Sequence, residues 1–145
     1  MHKQVLIPFV IAAAWAGSAL ASPSRPVRIE VKTVLAGVHP GTFTTSGAPL
    51  CRRGSSRDRI LVPFRHAGGR WSFRFRKTFA CADGSGTFAV DESGQLLDGA
   101  SRWHGRWTIV AGTGAYSKLH GAGTVAGDEL PGRVDDHMTG SVSLG

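Results

Sequence analysis

The sequence predicts an all-β fold, an antiparallel closed barrel of about eight strands in a single domain. Three observations carry this expectation. Short alternating runs of apolar and polar residues recur at even spacing, turn-forming residues separate them, and no capped apolar run of helical period intervenes. Strands spaced in this way form a barrel or a sandwich, and a closed barrel leaves no edge strand exposed.

Residues 1–21 are set aside before the fold begins. Lys3 gives a basic start, the stretch from Val5 to Ala16 is almost wholly apolar, and Ala19-Leu20-Ala21 fits a small-residue cleavage site. That apolar core is shorter than the roughly 20 residues a spanning helix needs, so it reads as a secretory signal peptide. The expected product is a secreted, extracellular or periplasmic domain of residues 22–145, opening with a flexible, proline-bearing arm over 22–27. Loss of Lys3 lowers the formal charge from +7 to +6.

Candidate strands follow at 28–35, 41–46, 59–65, 70–80, 85–91, 101–110, 118–126 and 133–143. The turns between them are marked by His39-Pro40-Gly41, Ala67-Gly68-Gly69, Asp83-Gly84, Ser93-Gly94, Asp98-Gly99, Gly112-Thr113-Gly114 and Pro131-Gly132. Two strands show their faces directly. Trp71, Phe73 and Phe75 alternate with Ser72, Arg74 and Arg76, and Trp103, Gly105, Trp107 and Ile109 alternate with Arg102, His104, Arg106 and Thr108. Glycine between two tryptophans leaves room for a large ring from a neighbouring strand. The five aromatic side chains Trp71, Phe73, Phe75, Trp103 and Trp107 therefore belong to a shared core or to the wall of an apolar cavity. Cys51 and Cys81, an even pair in an exported chain, are expected to form one disulfide.

The stretch from Trp107 to Gly123 tests a nucleotide-binding alternative. A dinucleotide turn needs G-x-G-x-x-G opening a helix, but Ser117 stands at the third glycine and Gly121 and Gly123 would break the helix. No Gly-Lys-Ser/Thr follows, so the phosphate-loop pattern also fails. Gly112, Thr113, Gly114 and Tyr116 read instead as a structural turn. With Trp107, Ile109, Leu119, Gly121 and Gly123, this pattern resembles the late strand pair of the allene oxide cyclase/dirigent barrel superfamily, and small secreted bacterial proteins look similar. The likeness extends to Gly41-Thr42-Phe43-Thr44 and to the segment from Cys81 to Phe88, about half of residues 22–145, with Ala111 replacing the first glycine of the plant-type turn. It implies the barrel. Members include an enzyme that cyclises a fatty-acid epoxide and proteins that orient phenoxy radicals, but none of their catalytic residues carries over to this chain.

Other constellations are sparse. The histidines lack metal-ligand spacing and no cofactor motif is present. His104 and His120 fall opposite the apolar faces of their strands. They read as solvated, and become acid–base candidates only if those faces are inverted. The adjacent pairs Asp91-Glu92, Asp128-Glu129 and Asp135-Asp136 are expected at strand ends or turns, each pair splitting across the two faces. Nine basic residues and one acid, Asp58, lie between Arg52 and Lys77, and a solvated outer face is the preferred reading of that run. The functional expectation is a non-enzymatic binding or structural module for a small apolar ligand held by the five aromatics. The alternatives are a cyclase or isomerase working in the interior, and a binder of anionic cell-surface polymer or lipid headgroups through the arginine run. Arginine bias with no asparagine reflects base composition as readily as partners, so no specific nucleic-acid contact is expected, and oligomeric state is left open.

Overall fold

The computed structural model describes residues 22–34 and 40–145. The expected signal peptide and residues 35–39, with His39 of the first turn signal, lie outside the described residues. Eight strands form the molecule: β1 (Arg25–Val34), β2 (Gly41–Ser46), β3 (Arg53–Ala67), β4 (Arg70–Cys81), β5 (Thr87–Leu97), β6 (Arg102–Gly112), β7 (Leu119–Leu130) and β8 (Arg133–Leu144). Each pairs antiparallel with its neighbour in the chain, and β8 pairs with β1 to close the barrel. This up-and-down order places the β3–β4, β5–β6 and β7–β8 connections at one end, the mouth, together with Val34 and Gly41, the facing ends of β1 and β2. The other three connections lie at the opposite end, the base.

Alternation decides which side chains fill the interior. Ile29 and Val31 of β1, Phe73 and Phe79 of β4, Trp103 and Trp107 of β6, and Met138 and Val142 of β8 are all buried. Near the base, Phe43, Phe79, Phe88 and Tyr116 form an aromatic plug, with Phe79 stacked on Phe88 at 4.7 Å and Tyr116 edge-on to Phe88 at 5.5 Å. The Gly112–Tyr116 turn seals that plug. Thr113 Oγ1 accepts from the Thr87 amide at 3.0 Å, and the Tyr116 hydroxyl meets Ser85 Oγ at 3.1 Å. Gly114 has φ +58°, and a Cβ there would stand 2.4 Å from the Ser85 carbonyl oxygen, so only glycine fits. Beside it the Cys51–Cys81 disulfide ties the β2–β3 connection to the end of β4, with the two Cα atoms 6.0 Å apart.

Four expectations need correction. Ser93-Gly94 is not a turn: β5 runs through it, with Gly94 paired to both Phe73 and Gly105. Glycine is needed there because a Cβ would lie 2.6 Å from the Phe73 ring and 2.7 Å from Trp103. Gly105 does not receive a ring, since its missing Cβ would meet the Ser93 carbonyl oxygen at 2.1 Å; it permits close strand approach instead. The indoles of Trp103 and Trp107 lie over Gly127 and Gly140. Residues 25–27 are strand and not arm, because β1 ladders onto β8 from Arg25 and buries Val27. Of the acidic pairs, Asp91-Glu92 sits in the middle of β5 and not at a strand end, whereas Asp128-Glu129 lies at the end of β7 and Asp135-Asp136 near the start of β8, as expected.

The bridge closes a loop of 30 residues in sequence separation, which on the chain-entropy model stabilises the fold by about 3–4 kcal/mol. Replacing both cysteines with serine is expected to lower the unfolding free energy in urea by that amount. A loss below about 1 kcal/mol would show that the aromatic plug holds the base unaided.

Candidate functional site

The same alternation that buries the aromatics carries charge inward near the mouth. On β4, Lys77 shares a face with Trp71, Phe73, Phe75 and Phe79, and its side chain is 1% exposed. On β5, Glu92 shares a face with Phe88 and Val90 and is also 1% exposed. Asp58 on β3 stands directly opposite Lys77 in the register, and Asp136 on β8 reaches it from across the barrel. Lys77 Nζ donates to Asp58 at 2.7 and 2.9 Å and lies 3.1 Å from Asp136 Oδ2. Lys77 is thus the exception in the basic run: the arginines around it alternate outward, and it alone faces the core.

One cation faces three carboxyl groups in this cluster. Burial alone would lower the Lys77 ammonium, but the charges of Glu92, Asp136 and Asp58 outweigh it and raise its pKa, so it stays protonated. Burial drives Glu92 the other way for a carboxyl group. Partly offset by Lys77 and reinforced by Asp136 and Asp58, it pushes Glu92 up to about 8, which makes Glu92 a neutral acid at neutral pH. Asp136 is raised as well, chiefly by burial, against the pull of Lys77. Two oxygens here, Glu92 Oε1 and Asp136 Oδ1, are buried and make no hydrogen bond among the described residues. An unsatisfied buried acceptor is costly, so both mark places where a bound group would be stabilised.

Glu92 and Asp136 line a cavity of about 140 Å³ at the mouth. One wall is aromatic: Phe73 meets Trp103 at 5.0 Å and Phe75 at 5.0 Å, and Phe64 covers both phenyl rings at 5.1 and 5.6 Å. The other wall is Lys77, Asp58, Glu92 and Asp136, with Glu129 at the rim. Phe64 reaches this position because the β3–β4 register slips between Ile60 and Arg65, and such irregularities re-aim side chains. The cavity is under half of the roughly 300 Å³ at which pockets for drug-sized ligands begin, but close to the ~150 Å³ that holds a benzene ring.

Of the five aromatics expected to line a cavity, Phe73, Phe75 and Trp103 do so. Trp107 lies deeper, 1% exposed, its Nε1 donating to the carbonyl oxygens of Thr124 and Thr139 at 3.0 and 3.2 Å; it is packed core. Trp71 is 40% exposed and lies against His66 with ring centroids 4.7 Å apart and the rings tilted, outside the cavity. His104 and His120 are exposed on the outer surface, so the faces are not inverted and neither histidine reaches the interior. His104 instead borders a shallow outer groove with Arg65, Arg74 and Arg106, over the bare Gly94–Gly105 pair. Among the described residues no group of three His, Cys, Asp or Glu side chains is arranged to hold a metal ion. Chemically, the mouth can bind an apolar ring, donate or accept hydrogen bonds at Glu92 and Asp136, and exchange a proton there.

The Glu92 shift has a thermodynamic consequence. Between its ordinary value of 4.5 and about 8, the folded chain holds a proton that the unfolded chain has released, so raising pH favours unfolding. The melting temperature is expected to fall from about pH 5 to about pH 8.5, and Glu92→Gln to remove most of that fall. The remainder comes from Asp136, raised in the same way by burial, and from His137, whose pKa is raised by its contacts with Glu30 and Asp128 and whose ion pairs are lost on deprotonation. Parallel curves for the two proteins would mean that Glu92 is ionised in the fold.

Comparison of the chain with family models, with curated proteins and with solved structures finds no match in any of the three.

Proposed function

We propose that this protein is a secreted barrel that binds a small, largely apolar ligand in its mouth. The observation that carries the reading is the aromatic recess of Phe64, Phe73, Phe75 and Trp103, lined on its other side by Glu92 and Asp136, each with a buried oxygen that has no partner. Such a pocket takes its affinity from ring burial and its orientation from a few polar atoms. The volume limits the inserted part to about one six-membered ring, so a larger ligand leaves its remainder outside. The Cys51–Cys81 bond supports export to an oxidising compartment. The resemblance of Trp107–Gly123 to a barrel superfamily that handles small molecules supports an interior site. A second reading, acid–base turnover of the bound molecule, is favoured by the neutral Glu92 beside Asp136.

Trp103 in the cavity wall makes binding observable. Single-ring phenols, benzyl alcohols and monoterpenes are expected to change tryptophan emission saturably. Phe64→Ala, which removes a half-exposed ring and spares the core, is expected to weaken binding about tenfold. Trp71→Ala is expected to leave it unchanged, because that indole lies outside the cavity. No saturable response from any such compound, or an equal loss in both variants, would refute the mouth as a ligand site.

A further inference from the structure

The charge of the cavity narrows the class of ligand, taking the mouth to be a binding site as above. Around the recess stand four acids, Asp58 on β3, Glu92 on β5, Glu129 on β7 and Asp136 on β8, against one cation, Lys77 on β4. β1 contributes only Thr33 and β6 only Trp103 to the lining. Lys77 is committed to Asp58 through two short contacts and to one oxygen of Asp136. What remains without a partner is acceptor: the second oxygen of Asp136 and Oε1 of a 1% exposed Glu92, both buried on residues that line the cavity, with the Glu129 carboxylate at its rim. The opposite wall consists of ring faces and edges, which attract a positive charge held against a face. Excess acid and aromatic rings thus meet in one small cavity of a chain whose formal charge is +7.

We infer that the mouth is a site for a small organic ammonium ion, one ring or a short alkyl body carrying a single cationic nitrogen. The apolar body lies among Phe64, Phe73 and Trp103, and the ammonium N–H groups fill the two buried acceptors of Glu92 and Asp136. A neutral alcohol has one donor for these two oxygens. An anion would face Asp136 and Glu129 across the cavity while Lys77 is already satisfied by Asp58. Arrival of the cation favours the ionised form of Glu92, so below its raised pKa binding expels a proton into solvent. Affinity is then expected to rise with pH, by up to about tenfold per unit below about pH 8, and to level off above it.

The test uses three probes of one shape, benzylammonium, benzyl alcohol and benzoate, titrated by calorimetry in two buffers of different ionisation enthalpy. Benzylammonium is expected to bind at least about tenfold tighter than benzyl alcohol, with benzoate weakest, and to release close to one proton at pH 6.5. Glu92→Gln is expected to abolish both the proton release and most of the preference for the cation over benzyl alcohol. Equal affinity for alcohol and ammonium, or tightest binding of benzoate, would overturn the cationic assignment and leave the ligand-binding reading standing. Failure of all three probes to bind would overturn both.

Discussion

A buried lysine is the constraint on which the mouth half of this barrel depends. Moving an ammonium ion out of water costs several kcal/mol even after relaxation, and only close carboxylates with good hydrogen-bond geometry repay it. Asp58 is opposite Lys77 in the strand register, and the closed barrel brings Asp136 on β8 within 3.1 Å of the same nitrogen. Removing Lys77 alone would strand the buried Asp136 carboxyl without its cation, a loss of the size usually measured when a buried pair is broken, about 3–5 kcal/mol. The same compensation overshoots. Three carboxyl groups surround one cation, so a proton is retained on the most buried of them, Glu92, and two acceptor oxygens remain unsatisfied. Cluster and cavity are therefore one feature: the excess acid at the end of the recess gives it chemical character.

The base is built on different physics. There the interior is filled by aromatic rings in edge and stacked contact, closed by the Gly114 turn and crosslinked by Cys51–Cys81. Glycines opposite the large rings, Gly94 under Phe73, Gly127 under Trp103 and Gly140 under Trp107, let an eight-stranded barrel hold three such side chains. The packed, tied base contrasts with the mouth, where Phe64 is half exposed. This division, rigid floor and chemically distinct opening, suits a scaffold that holds a small site rather than one that encloses a large ligand.

Much of the architecture was legible in the sequence. Turn residues and period-2 runs yield eight strands, and the alternation at Phe73–Phe75 and Trp103–Ile109 orients both faces correctly, while Trp71, on the same face, is exposed. Ser93-Gly94 misleads because a glycine needed for ring packing has the same one-letter signature as a glycine needed for a turn. The site was harder to see, though its signal was present. Extending the Trp71, Phe73, Phe75 alternation by one step lands on Lys77, and extending Phe88, Val90 lands on Glu92. A lysine after a run of arginines reads as one more solvated charge, and an Asp-Glu pair reads as a loop. Only strand phase separates the inward member from its outward neighbour, Asp91, which pairs with Arg76 at 2.6 Å on the surface. Asp136 and Asp58 could not be joined to Lys77 from sequence, since their meeting depends on barrel closure. Phe64 owes its place to a register slip that no local pattern announces.

The central claim is that Glu92 is a neutral acid poised at the end of an aromatic recess. The most direct measurement is a pH titration of its side-chain carboxyl carbon by NMR in protein labelled at glutamate, assigned by comparison with Glu92→Gln. The account predicts a protonated resonance through neutral pH with a midpoint near 8. A midpoint near the ordinary 4.5 would contradict it, because Lys77 would then be balanced by ionised carboxylates alone.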